Sequence, residues 1–308
     1  MQLFESYRKK LVLSIIFMIV CKFAVAQQNI QYTQYMYDGS FINPAFVGSF
    51  EALNISLIHR DQWTGLEGAP QSQSLSAHTL IKSRNVGTGL FIHRETIGVH
   101  QNLNATANLA YHLQLGRESF LSAGISAGAF NTSSDYQSLQ NSGNDLSIYD
   151  EAFTGTDFNM GFGFYFRSPI VEIGYSVPTV LNRSVYINDS TRFDPSRMNH
   201  MFFNKFNIMI GDRFELNPSY LVKYTQDLPI SYDVNLLLTY TELISTGVSY
   251  RANESIDLLL RLQITPQLQI GYAYDYPIGN VNQLSQASNE LMLRYLFKFS
   301  YGKVKSPR

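Results

Sequence analysis

The chain has 308 residues and a formal net charge of −1, enough length for one large domain or two small ones and no electrostatic reason to bind nucleic acid. Charged residues make up 15% of it, below the roughly 25% of an ordinary soluble domain, while Tyr and Phe number 20 and 21. That composition fits a surface that does not all face water, and a single cysteine, Cys21, excludes a disulfide within the chain.

The first predicted element is an export signal over 1–26. Arg8, Lys9 and Lys10 precede an apolar run from Leu11 to Val20, and Ala24-Val25-Ala26 presents the small-x-small pattern read by signal peptidase, giving a mature start near Gln27. The run is shorter than the about 20 residues that a helical span needs. Cys21 would be the acylated residue of a lipoprotein, but Val20 before it is too bulky for that processing, so the Ala-x-Ala site fits better. No later stretch is apolar for long enough to be a membrane helix, which leaves a secreted β-protein or an outer-membrane barrel.

Residues 27–50 follow and include QYMYDGSFINPAFVGSF. This segment has neither the period of a helix nor that of a strand. Irregular backbone cannot face lipid, because its unpaired amides are costly there, so Tyr35, Tyr37, Phe41 and Phe46 are expected to pack inside a barrel mouth or against a partner. Asn43-Pro44 marks a turn. Two roles stand for the segment: a plug or lining of the periplasmic opening, or a packed lead-in to the first strand.

From 51 to 299 the period becomes two. Leu103, Ala105, Ala107, Leu109, Tyr111, Leu113 and Leu115 alternate with Asn102, Asn104, Thr106, Asn108, Ala110, His112 and Gln114. This puts one face in hydrocarbon and the other on polar or small groups. The same alternation marks 158–166, 230–240, 268–276 and 291–299. Soluble sandwiches also alternate, but here the apolar faces carry aromatics toward their ends, the opposite faces are Gly, Asn, Ser or charged, and surface charge is low. The fold predicted is therefore all-β, a transmembrane antiparallel barrel of about fourteen strands: 51–60, 71–82, 86–95, 103–115, 119–130, 157–167, 169–177, 200–211, 213–225, 229–240, 243–251, 255–264, 267–276 and 289–299.

With strand one running outward, the connections 61–70, 96–102, 131–156, 178–199, 226–228, 252–254 and 277–288 face the exterior. The brief turns at 83–85, 116–118, 168, 211–212, 241–242 and 265–266 face the periplasm, the asymmetry expected of such barrels. The loops 131–156 and 178–199 are the expected outer partner surface.

Sites for chemistry are sparse. Six histidines show neither an HExxH spacing nor a cysteine partner, so no metal or other cofactor is expected. His112 reads as a hydrogen-bonded lumen residue, and Gly87, Gly89, Gly161 and Gly163 as small inward residues within strands. No G-x-S-x-G elbow is present, and no enzyme activity is expected; a lipid hydrolase would need a Ser/His pair on one wall. Asp233, Asp257, Arg261, Asp275, Arg294 and Lys298 are the expected lumen charges. With both signs present, they suit a braced or partly closed interior better than a one-sign selectivity surface.

One ordered series of short motifs runs through the chain. It comprises Gln34-Tyr35-Met36, Asn43-Pro44-Ala45 with Gly48, Arg60-Asp61-Gln62-Trp63, Gly68-Ala69-Pro70-Gln71, His78, Gly87-Thr88-Gly89-Leu90, Gly271 to Pro277 with Tyr274, Asp275 and Tyr276, and Asn289-Glu290. In order and spacing the series resembles the PorP/SprF family of outer-membrane proteins of the type IX secretion system in Bacteroidota. The resemblance implies a non-enzymatic barrel in outer-membrane lipid, tied to secretion and in some members to gliding motility. It further implies partners among the periplasmic ring components, or a secreted adhesin bearing a C-terminal sorting domain. The motif residues would be contacts for a partner or for a plug. A channel for a small or apolar solute is the alternative. The last strand reaches Phe299, and 300–308, with Lys303, Lys305 and Arg308, is expected to be a periplasmic tail.

Overall fold

The period-two alternation folds into long antiparallel strands. In chain order these are β1 (Leu53–Asp61), β2 (Gln71–Ile81), β3 (Val86–Ile97), β4 (His100–Gln114), β5 (Phe120–Ser134), β6 (Phe153–Arg167) and β7 (Val171–Val177). A small ribbon of β8 (Leu181–Asn182) and β9 (Arg192–Phe193) follows. The wall resumes with β10 (His200–Phe206), β11 (Ile208–Ile210), β12 (Phe214–Tyr224), β13 (Ser231–Tyr240), β14 (Ile244–Arg251), β15 (Ser255–Gln263), β16 (Leu268–Pro277) and β17 (Ser288–Phe297). The computed structural model describes residues 31–50, 52–135, 153–182, 192–193, 198–278 and 286–297. The signal at 1–26 with Cys21, the greater part of the two long loops at 131–156 and 178–199, and the chain from Lys298 through Phe299 and the tail lie outside the described residues. Of the unit Met1–Gln31, only Gln31 is described; the barrel belongs to the unit that begins at Tyr32.

Each wall strand pairs with the next, β1 closes on β17 with Leu57 opposite Leu293, and β10 bridges β7 and β12. β10 and β11 are one wall strand broken at Asn207, so the closed barrel has fourteen strands. Closure leaves the barrel wall without a free edge, as backbone in a bilayer requires.

The faces are inverted relative to a soluble protein. On β4, Leu109 is 51% exposed while Asn108 beside it is 6% exposed. On β13, Tyr232, Val234, Leu236 and Leu238 face outward and Asp233, Asn235 and Thr239 are buried. The outer surface is the apolar one, suited to lipid, and the interior holds the polar groups.

Three elements depart from the sequence expectation. The connection expected at 96–102 shrinks to Gly98-Val99, with Gly98 at φ +55° making the turn. β5 and β6 stay paired up to Ser134 opposite Phe153, into what periodicity assigns to a loop. Hydrophobic alternation reports contact with lipid, whereas the hydrogen-bond ladder continues past the apolar belt through Asn, Thr and Ser. The expected strand 200–211 is likewise divided into β10 and β11 at Asn207, although its N–H still donates to Ile170 O at 2.8 Å, the position next in register before the start of β7, and the pairing with β12 resumes in the same register at Ile208 opposite Leu216.

Leu236 stands mid-strand on the lipid face of β13. Leu236→Arg should destabilise the barrel by about 2–4 kcal/mol, while Leu236→Phe should leave stability near that of the parent. Urea-dependent refolding into lipid vesicles, followed by the gel-mobility shift of folded barrels, measures this. Equal midpoints for the Arg variant and the parent would rule out lipid contact at that face.

Candidate functional site: a lumen filled by residues 32–50

The barrel interior is polar, and the chain itself occupies it. From Tyr32 to Ser49 every residue but Gly39 and Ser40 is buried. Its path starts beside Arg60 and Glu290, near the ends of the strands that carry the long connections. It finishes beside His112 and Arg167, near the tight turns.

An irregular buried segment must find partners for its amides. Asp38 caps a 3-10 turn over Gly39–Phe41, and Asn43 caps a second over Pro44–Phe46. In each case a side-chain oxygen takes the N–H two residues on, a role suited to these residue types. Further on, the Gly48 N–H donates to His78 Nδ1 at 3.1 Å. At the start, the N–H groups of Thr33 and Gln34 both donate to the Glu290 carboxylate, each at 2.8 Å.

Glu290 belongs to a buried ionic cluster. The Arg60 guanidinium lies 3.2 Å from Glu290 and 2.7 Å from Asp275, and it also donates to Thr33 Oγ1 at 2.8 Å. Nearby, Arg251 contacts Asp233 at 3.2 Å and donates to the Tyr32 carbonyl, and Lys223 reaches Asp233 at 3.2 Å. Arg60, Arg251, Asp233, Asp275 and Glu290 are each no more than 2% exposed, so their charges are held by one another and by the segment.

A second anchor lies midway. Asp38 accepts from Asn54 at 2.7 Å and Ser56 at 2.6 Å, with His78 at 3.5 Å. Arg294 donates to Asn54 Oδ1 at 2.7 Å and to the Tyr37 carbonyl at 3.0 Å, and its guanidinium lies 4.1 Å from the Phe50 ring centre. Aromatic contacts complete the packing: Tyr32 with Phe41, Phe41 with Phe91, Tyr35 with Phe203, and Phe46 with Tyr165. The Tyr35 hydroxyl accepts from Asn235 at 2.7 Å.

Wall glycines make room for the segment. A Cβ at Gly163 would stand 2.1 Å from Asn43 Oδ1, and one at Gly124 would stand 2.5 Å from Ala45 backbone. At Gly87 the nearest atom is Val47 O at 1.9 Å, and at Gly271 it is Gln34 Oε1 at 2.1 Å. Asn43 fills the space left by Gly163 and donates to the carbonyls of Phe164 and Tyr175.

Of the residues singled out in the sequence, Tyr35, Met36, Asn43, Pro44 and Gly48 belong to the buried segment, and Arg60, His78, Asp275 and Arg294 contact it or its partners. Asp257 is buried opposite Asp275, and the Arg261 guanidinium lies 5.2 Å from the Tyr37 ring centre. Gln62, Trp63, Gly68 and Pro70 lie apart, in the β1–β2 connection, where the Trp63 N–H donates to Ser288 Oγ. Tyr274 and Tyr276 point to the outer face, 39% and 53% exposed, and do not meet the segment. Neighbours on an alternating strand point to opposite faces, so Asp275 between them enters the lumen. Arg251, Lys223, Asp233's partners in this cluster, carry only the inward parity of their strands as a signal; Thr33 and Asp38 sit where there is no period to read.

Among the described residues, unfilled space lies toward the turn end of the lumen. One cavity of about 630 Å³ and another of about 270 Å³ lie there, both lined by Arg167, Glu172 and Asn207. Among the described residues, no group of three or more His, Cys, Asp or Glu side chains is placed to hold a metal ion.

A family model described as type IX secretion system membrane protein PorP/SprF matches residues 24–295. No curated protein matches this chain. Among solved structures, the CymD monoaromatic hydrocarbon channel is similar at a TM-score of 0.53 and 12% identity, over 90% of this chain and 95% of that one. The Acinetobacter baumannii outer membrane protein Omp33 has a TM-score of 0.50 at 10% identity, over 80% and 98%. The Ralstonia pickettii toluene transporter TbuX has a TM-score of 0.50 at 10% identity, over 84% and 93%. Identities this low establish a shared barrel fold and nothing further.

Two measurements check the anchoring. Glu290→Gln leaves Arg60 short of a carboxylate and one backbone N–H without its acceptor, so it should cost about 3–5 kcal/mol in urea unfolding. Gly163→Val should displace Asn43, so that deuterium uptake over 34–48 rises while the barrel strands keep their protection. Unchanged uptake in that peptide would contradict the seating described.

Proposed function

Because the chain belongs to the PorP/SprF family of type IX secretion system membrane proteins, we propose that it is an outer-membrane barrel of that system which acts through protein–protein contact and not as an open pore. Its task in this reading is to support the secretion or surface anchoring of partner proteins, such as adhesins with a C-terminal sorting domain, and thereby gliding where the cell glides. Contacts with periplasmic ring components would be made at the turn end, and contacts with cargo at the end with the long connections. Export by a cleaved signal over 1–26 and an origin in Bacteroidota belong to the same reading. The observation that carries it is the occupied lumen: residues 32–50 fill the bore and are fastened by a buried ionic cluster, so they act as a plug. No catalytic role is assigned to any residue.

The channel alternative draws on the similarity to a monoaromatic hydrocarbon channel and a toluene transporter, and on the two cavities at the turn end. The intact protein should be nearly silent in a planar bilayer, and removal of 34–47 from an assembled barrel should give a large, stable conductance. A large conductance from the intact chain would favour the channel. Crosslinking in outer membranes should recover ring components or a secreted protein with a C-terminal sorting domain. Recovery of neither, with the barrel correctly assembled, would sink the contact reading.

A further inference from the structure

The two ends of the lumen carry opposite charge. Toward the long connections, the buried carboxylates Asp233, Asp257, Asp275 and Glu290 outnumber the cations Arg60, Arg251 and Lys223. At the turn end, the walls of the two cavities present six Lys or Arg side chains against three Glu. Lys205 and Glu172 there neutralise each other at 2.6 Å. Arg167 and Arg261 have no carboxylate within ion-pair distance among the described residues. Arg261 stacks over Tyr37 at 5.2 Å, and its Nε is buried with no hydrogen-bond partner among the described residues. Arg167 donates to the Ser49 carbonyl and lies 5.5 Å from the Phe120 ring centre. Both guanidiniums thus pack on aromatic rings while lining the cavities.

We propose that this turn-end vestibule is a binding site for a small organic oxyanion, a carboxylate or phosphate monoester carried on an aromatic or acyl body. A guanidinium offers paired N–H donors whose spacing matches such oxyanions, and low-dielectric walls strengthen the attraction. Tyr37, Phe46 and Phe50 supply an apolar surface beside those donors. The cavity volumes, about 630 and 270 Å³, lie in or near the roughly 300–1,000 Å³ usual for small-molecule sites. Deeper passage is opposed by the plug and by the acidic cluster beyond it, so the ligand binds and is not carried through. The site stands independently of the secretion role, since it rests on the cavity walls alone.

Calorimetric titration of the full barrel in an uncharged detergent, with phenyl phosphate, benzoate, inorganic phosphate and phenol, tests it. Phenyl phosphate or benzoate should bind at least about tenfold more tightly than inorganic phosphate or phenol, and Arg167→Gln or Arg261→Gln should each weaken that binding by about fivefold or more. The better of the two aromatic anions identifies the headgroup. No preference over the fragments, or equal binding by both variants, overturns the proposal. A measurement free of variants uses phenylglyoxal labelling of the parent protein, read by mass spectrometry. Phenyl phosphate should slow modification of Arg167 and Arg261 and leave the exposed Arg84 and Arg213 unchanged, whereas equal rates at all four overturn it.

Discussion

The Glu290 carboxylate, taking the N–H groups of Thr33 and Gln34 while paired with Arg60, is the contact on which the interior depends. A fully buried carboxylate needs compensation from every side, and an irregular buried chain needs acceptors for its amides. Each answers the other's requirement. Asp275 and Thr33 complete the set around Arg60, so that wall and segment share one network in place of two half-satisfied ones.

Outside this network the barrel has its apolar side chains in lipid, so hydrophobic burial within the protein falls largely to the lumenal segment. Tyr32, Tyr35, Phe41 and Phe46 provide that burial, each against an inward aromatic or a neighbouring ring of the segment. Glycines on β3 and β5 let the segment's backbone approach the wall, and the side chains of Asn43 and Gln34 take up the room left by Gly163 on β6 and Gly271 on β16. The segment is thus seated by shape at one end and by charge at the other.

Residues 32–50 occupy the bore, and the two cavities lie beside them at the turn end. In the proposed anion site, the opposed charge of the two ends would favour anions in the vestibule and disfavour them in the bore beyond it.

From the sequence alone the barrel was legible: strands such as 103–115 and 230–240 announce both their period and the face each residue takes, because lipid contact demands an uninterrupted apolar row. The inward position of Asp233, Asp275 and Arg294 follows from the same parity. Where the ladder outlasts the lipid contact, as from Asn131 to Ser134, parity fails, since hydrogen bonding and hydrophobicity part company there. Which charges pair, and what fills the bore, was decided only in three dimensions. Thr33 and Glu290 lie 257 residues apart, and nothing local links them until barrel closure, strand register and the glycine seats bring both to one point.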